Sequence, residues 1–179
     1  MPRPMARSIL VVARHNEDIS WLGKVTGGWN VKVVQKNNDI PNKGREVSSF
    51  FMAMFQLYPE INNDDVLVFV HGDPFHHCPN LMERLKGSFT GYTPLGIDKL
   101  FCREDGSPHH PGLPVGEKFK EWFGHDFPSY VEFHPGGEFA ITGKELKSYP
   151  IDFYRDKMWE SMEDEVAWVF ERLWKYFWT

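Results

Sequence analysis

The chain has 179 residues, of which 41% are hydrophobic and 25% are charged. That length suits one domain with a buried core, and that composition is typical of folded rather than disordered proteins. The formal net charge of −5, without a dense Lys/Arg run, argues against a nucleic-acid partner or an anionic membrane. No apolar run reaches the roughly 20 residues that cross a bilayer or forms a signal-peptide core, so we expect a cytoplasmic protein without a membrane span.

The two cysteines and the many aromatic residues carry less specific information. Cys78 and Cys102 make neither a disulfide framework nor a zinc-type pair, so we expect two free thiols. Aromatic residues form 16% of the chain and can fill a core or stack on sugar rings, of which the core is the commoner use. The sequence does not fix an oligomeric state.

The first half of the chain, residues 8–86, alternates strand and helix patterns. The apolar run 9–13 predicts a buried strand that leads into the polar turn 14–18. Residues 31–34 predict a second strand. The continuous run 66–70 is typical of a central strand that is covered on both faces.

A helix is predicted from Asn42-Lys43-Gly44 to Pro59, which ends it. Its apolar face is formed by Val47, Phe50, Phe51, Met54, Phe55 and Tyr58. Because strands and helices alternate, we predict a single α/β domain with right-handed crossovers and a mainly parallel sheet flanked by helices.

The rest of the 1–179 domain divides into two parts. Residues 87–136 are rich in Gly, Pro, His and aromatic residues, and they predict a loop-rich region with one short helix at 118–123. Residues 137–179 predict a closing strand at 137–142 and a last helix. The apolar face of that helix is formed by Val166, Val169, Phe170, Leu173, Trp174 and Phe177.

Ligands of open α/β sheets bind beyond the carboxyl ends of the strands, which directs attention to the loops that follow two predicted strands. In the second of these loops, His71, Asp73 and His77 are candidate ligands of Mg²⁺ or Mn²⁺. The alternative is that Asp73 only organises a turn. The Asp64-Asp65 pair precedes its strand and belongs at the opposite edge of the sheet.

Two segments could hold a nucleotide. In the first-strand loop, Arg14, Asn16 and Glu17 offer donors and acceptors for a base and ribose, although composition alone favours a solvated polar turn. At the helix start, Asn42, Lys43 and Gly44 could bind phosphate together with Arg45, with Asn42 as a helix cap being the simpler explanation.

A general base could come from the acidic start of the last helix. Glu163 and Asp164 are candidates, and Glu138 is a rival in another segment. The competing explanation is structural, since acids favour a helix N-terminus and Ser161 with Asp164 resembles a capping box.

Taken in order, these segments resemble an uncharacterised domain family related to GT-A glycosyltransferases. The segments that carry the resemblance are residues 11–18 with Trp21-Leu22, 42–46, 68–74, 138–142, 150–154 and 170–174. The resemblance implies a GT-A-like, Rossmann-like fold and nucleotide-sugar chemistry. His71-Gly72-Asp73 stands where such enzymes usually carry Asp-x-Asp, which leaves Asp73 as the expected ligand of Mn²⁺ or Mg²⁺.

The leading hypothesis is therefore a glycosyltransferase that moves a sugar from a nucleotide-sugar donor to a hydroxyl of a glycan or another acceptor. One alternative is a metal-dependent hydrolase built on His71, Asp73, His76 and His77. Another is a non-catalytic carbohydrate-binding module.

Overall fold

Five strands form the central sheet in the computed structural model, which describes residues 5–179. The strands are β1 (Ser8–Arg14), β2 (Asn30–Gln35), β3 (Val66–His71), β4 (Thr93–Pro94) and β7 (Phe139–Thr142), in the spatial order β2-β1-β3-β7-β4. Two further strands, β5 (Leu100–Cys102) and β6 (Val131–Phe133), pair as a small antiparallel sheet.

Helices flank the sheet. They are α1 (Arg45–Leu57), α2 (Leu81–Arg84), α3 (Val115–Phe123), α4 (Gly143–Leu146), α5 (Ile151–Glu160) and α6 (Asp164–Trp178), with 3₁₀ turns at Ser20–Lys24 and Tyr58–Glu60.

The sheet is mixed but mostly parallel, as predicted. β1 pairs in parallel with both β2 and β3. β7 runs antiparallel to β3 and to β4, so that β7 alone is reversed among the five strands. The predicted single-domain α/β fold with flanking helices is therefore confirmed at this level. Because β7 is reversed, its first residues lie at the same edge of the sheet as the last residues of β1 and β3.

Both faces of β1 and β3 are buried, which explains why their sequences are continuously apolar. In β1, Ile9, Val11 and Ala13 belong to a core that packs under α1 and α6. Leu10 and Val12 belong to a second core on the other face. These two cores fix the carboxyl ends of the central strands in place.

Residues 87–136 are more ordered than the sequence predicts. They contain β4, β5 and β6, and α3 begins at Val115 rather than at 118. A third core holds this region against α6, because Phe119 and Phe133 pack with Leu173. Strands of two or three residues are too short for an alternating pattern to predict them.

Three smaller predictions can be compared with the structure. Cys78 and Cys102 are both free and buried. Asp65 does lie before β3, where its buried carboxylate accepts from the Arg7 backbone amide at 2.8 Å. Between residues 5 and 179, no helix is long and apolar enough to cross a membrane.

Candidate active site

A cleft of about 390 Å³ opens at the carboxyl ends of β1 and β3. Its walls come from five segments, namely the β1 loop (Arg14, His15, Glu17), the residue after β2 (Lys36), the start of α1 (Asn42, Arg45, Glu46), the end of β3 (His71) and the start of α6 (Asp164). Clefts of this volume and position are where open α/β sheets bind small molecules.

The loops after β1 and β3 are in direct contact, as expected from the parallel register. Ala13 pairs with His71 across the two strands. A Cβ atom on Gly72 would lie 2.8 Å from Glu17 Oε2, so the approach of the two loops requires glycine at this position. Trp21 Nε1 donates to the Gly72 carbonyl at 2.8 Å, and this hydrogen bond also holds the two loops together.

Two cations in the cleft are held by neutral oxygens alone. Arg14 donates to the Glu17 carbonyl and to Gln35 Oε1, at 2.9 Å each. Lys36 is only 5% exposed, and its ammonium donates to the Lys43 carbonyl at 2.7 Å and to Ser48 Oγ.

Neither of these two charges forms a direct ion pair. Across residues 5–179, no carboxylate lies within 4.0 Å of the charged nitrogens of Arg14 or Lys36. Burial lowers the pKa of Lys36 to about 8, although the charges of Glu46 and Asp164 oppose the change, and the ammonium stays mostly charged at neutral pH. The cleft therefore presents two preorganised cations without a direct ion pair, in a lining that also includes acidic side chains.

The start of α1 adds to this positive field. Gly44 is the N-cap residue with φ +70°, and Arg45 follows with φ +50°, an uncommon conformation for a residue with a side chain. The Arg45 guanidinium lies 4.1 Å from the centre of the Trp168 ring. The prediction that Asn42 caps this helix is wrong, because α1 has no side-chain cap and the Asn42 amide instead lies 3.5 Å from His15 Nε2.

An imidazole between two carboxylates forms the floor of the cleft. His71 Nε2 lies 3.5 Å from Glu46 Oε1, and His71 Nδ1 lies 3.5 Å from Glu138 Oε1. The Glu138 side chain is fully buried, and neither of its oxygens has a hydrogen-bond partner among the described residues. The rival base candidate Glu138 thus lies below the cleft, behind His71.

Burial and charge act against each other in this group. Burial raises the pKa of Glu138 to about 7, although His71 opposes the change. Burial alone would lower the pKa of His71, but the charges of Glu46 and Glu138 raise it to about 9. Burial likewise favours the protonated form of Glu46, but His71 and Arg45 hold its pKa below the usual value. His71 is therefore an imidazolium at neutral pH.

The two acids predicted at the start of α6 behave differently. Asp164 lines the cleft and its Oδ1 accepts from the Gly44 amide at 3.3 Å. Glu163 is exposed at the N-cap position and does not line the cleft. The expected capping box with Ser161 is not formed, because the Ser161 hydroxyl donates to the Met158 carbonyl at 2.8 Å.

The predicted metal ligands are not brought together. Asp73 is exposed and outside the cleft lining, and His77 packs edge-on against His76 with ring centres 4.5 Å apart. Both nitrogens of His71 face carboxylates. In the part of the chain that the structure describes, no group of three His, Cys, Asp or Glu side chains could hold a metal ion. These residues therefore do not fit the expected site, and dependence on Mn²⁺ or Mg²⁺ stays a prediction.

Two other predicted ligand-binding residues lie beside the cleft. Asn16 is exposed, as is the side chain of Lys43, whose carbonyl holds Lys36. Sequence reasoning missed Lys36 and His15. Lys36 directly follows β2, and the rule that selects residues after parallel strands would have found it had it been applied to this strand as well.

Comparisons with known proteins found no relative. No family model matches the chain. Neither the curated proteins nor the solved structures gave a match.

Proposed function

We propose that the protein is a glycosyltransferase that binds a nucleotide-sugar donor in the cleft and transfers the sugar to an acceptor hydroxyl. The observation that carries the proposal is the pair of unpaired cations, Arg14 and Lys36, beside the N-terminus of α1. Two preorganised cations that form no direct ion pair favour an anionic ligand.

A diphosphate is the anionic group that best matches this arrangement. The amides of the first turn of α1 and the helix dipole favour phosphate oxygens. Arg14 can bind two oxygens at once, whereas Lys36 acts as a point charge. The volume of about 390 Å³ lies in the range of small-molecule sites.

The proposed chemistry has two parts. As the bond between the sugar carbon and the diphosphate oxygen breaks, the electron pair leaves with the diphosphate, and Arg14 and Lys36 stabilise the developing charge. Asp164 accepts the proton of the acceptor hydroxyl, whose oxygen forms the new bond to the sugar carbon. Asp164 is exposed at the cleft and held by Gly44, as a group that must reach an acceptor requires.

Calorimetric titration with UDP and GDP, with and without Mn²⁺, tests the donor site. We expect one of the two nucleotides to bind, and Arg14→Gln to weaken the binding by about 10- to 100-fold, because a hydrogen bond to a charged group contributes about 1.5–3 kcal/mol. Arg155→Gln is the matched control, since Arg155 is paired with Asp152 and Asp156 on the surface of α5. The absence of binding by either nucleotide, with or without metal, would remove the support for the proposal.

Catalysis is tested separately with Asp164→Asn. This variant should lose hydrolysis or transfer of the sugar but should not weaken nucleotide binding, because it removes a negative charge beside the N-terminus of α1. A variant that retains full activity would show that another group accepts the proton.

A further inference from the structure

A second pocket, of about 220 Å³, opens between β4, β6 and α6. Pro94 of β4 lines it and pairs with Phe139, the first residue of β7. The start of β7 also lies beside the end of β3, where Phe69 pairs with Phe139. The pocket and the cleft therefore open at the same edge of the sheet, on either side of the start of β7.

One pair of carboxylates separates the two cavities. Glu46 lines the cleft and Glu171 lines the second pocket. Measured from the position that a Cβ atom on Gly137 would take, Glu171 Cγ lies at 3.5 Å and Glu46 Oε1 at 3.6 Å. Because residue 137 has no side chain, the two acids can both approach its backbone closely.

The wall also contains polar atoms that the protein itself leaves without partners. Trp174 Nε1 lies 3.5 Å from the same Cβ position above Gly137, and it has no hydrogen-bond partner among the described residues. Trp174 is 1% exposed. The neighbouring Glu138 carboxylate is unpartnered as well. Buried polar groups without a partner are rare, and here one is a hydrogen-bond donor and the other an acceptor.

The charged side chains of the second pocket form direct ion pairs, unlike Arg14 and Lys36 of the cleft. Glu171 lies 3.1 Å from Arg172, and Glu132 lies 3.7 Å from Lys175. Phe133 supplies an apolar lining, and the Arg172 guanidinium lies 4.8 Å from the centre of its ring. Paired acids and bases around an aromatic ring offer hydrogen-bond donors and acceptors without a net charge, which suits a neutral hydroxylated ligand rather than an anion.

We propose that this pocket is an acceptor subsite and holds one neutral sugar ring of the acceptor, beside the cleft in which Asp164 receives the proton of the reacting hydroxyl. The volume of about 220 Å³ lies below the usual range of small-molecule sites, which suits a single ring better than a second nucleotide. The assignment as an acceptor site rests on the proposed function, whereas binding of a sugar in the pocket does not.

Titration of the ¹⁵N-labelled protein with methyl glycosides of glucose, galactose, mannose and N-acetylglucosamine tests the pocket. The indole signals of Trp174 and Trp178 report on it, since Trp178 stacks on the pocket residue Tyr92 with ring centres 6.1 Å apart. We expect at least one glycoside to shift both signals in a saturable way. The absence of saturable shifts with all four would overturn the proposal.

Two substitutions distinguish the pocket from other surfaces. Phe133→Leu should weaken the glycoside affinity about tenfold through the loss of its ring. Because Phe133 is buried, its substitution can also disturb the fold, and a second variant is made at an exposed side chain. Lys175 is 43% exposed, and Lys175→Met should weaken glycoside binding several-fold. Trp159→Leu, which removes an exposed aromatic ring on α5, is the control and should leave the affinity unchanged.

Shifts that persist at full affinity in both pocket variants would show that the glycoside binds elsewhere and would refute the subsite. A UDP and GDP titration of the same sample keeps the two proposals apart. Glycoside binding without nucleotide binding would support the sugar pocket and contradict the proposed transferase. Nucleotide binding without glycoside binding would support the transferase and contradict the sugar pocket.

Discussion

Replacing Glu138 with glutamine removes the charge beneath His71 and keeps the shape of the side chain. The Glu138 side chain is fully buried, and its oxygens have no hydrogen-bond partner within residues 5–179. Burial is the main reason that the pKa of this carboxyl is raised from 4.5 to about 7. We therefore expect Glu138→Gln to change how the free energy of unfolding depends on pH.

The sign follows from the proton affinities of the two states. The native protein holds the Glu138 proton more tightly than the unfolded chain does, and this stabilises the native state. The stabilisation is fully present below pH 4.5 and is lost as the pH rises through about 7. A tenfold change in proton affinity corresponds to about 1.4 kcal/mol. The pKa shift of Glu138 from 4.5 to about 7 therefore corresponds to about 3 kcal/mol of the free energy of unfolding. The pKa of His71 is also raised, from 6.5 to about 9, so its proton makes a further contribution to stability that is lost at higher pH.

Urea unfolding followed by tryptophan fluorescence measures this effect. From about pH 5 to about pH 8, the wild type should lose stability and Glu138→Gln should lose much less, so that the variant is the more stable protein at the alkaline end. Glu117→Gln, which alters an exposed carboxylate of α3, should run parallel to the wild type. A constant difference between wild type and Glu138→Gln at every pH would refute the reasoning.

Three further outcomes are expected. Asp65→Asn, at the other edge of the sheet, should lower the free energy of unfolding in urea by about 1–3 kcal/mol and leave nucleotide affinity unchanged in calorimetry. Gly44→Ala should lower it by at least about 2 kcal/mol and weaken nucleotide binding, because φ is +70° and the new methyl would meet the Ser161 backbone, whose carbonyl carbon is 2.8 Å away. Burial raises the thiol pKa of both Cys78 and Cys102 to about 11. A thiol reagent at mildly alkaline pH should therefore react with the protein only as it unfolds, and a rapid reaction with the native protein would contradict the burial of the two thiols.

The parts of the fold that the sequence predicts are those with a strong repeating pattern. β1 and β3 are long apolar runs, and α1 and α6 carry apolar residues at helical spacing. β4 has two residues and β5 three, which is too few for a pattern. α5 escapes prediction for another reason, since Tyr154 is its only fully buried residue.

The candidate site is predictable only where it depends on the ends of neighbouring strands. That rule places Arg14 and His71 at one edge of the sheet, and the structure agrees. Asp73 was expected to act beside His71, but the chain turns at the buried Gly72 and leaves Asp73 exposed outside the cleft. The contact between Asp164 and Gly44 joins residues 120 positions apart and has no local signal.

The aromatic residues show how the cleft keeps its geometry. The Phe51 ring of α1 lies 4.8 Å from that of Phe170 and 5.2 Å from that of Trp174, both in α6. Glu46 lies at the start of α1, and Asp164 and Glu171 lie on α6, so the same ring contacts set the distance between the acids of the two cavities. Many of the aromatic residues thus serve the core, and they act on the site by holding two helices in register, because packed interiors deform little.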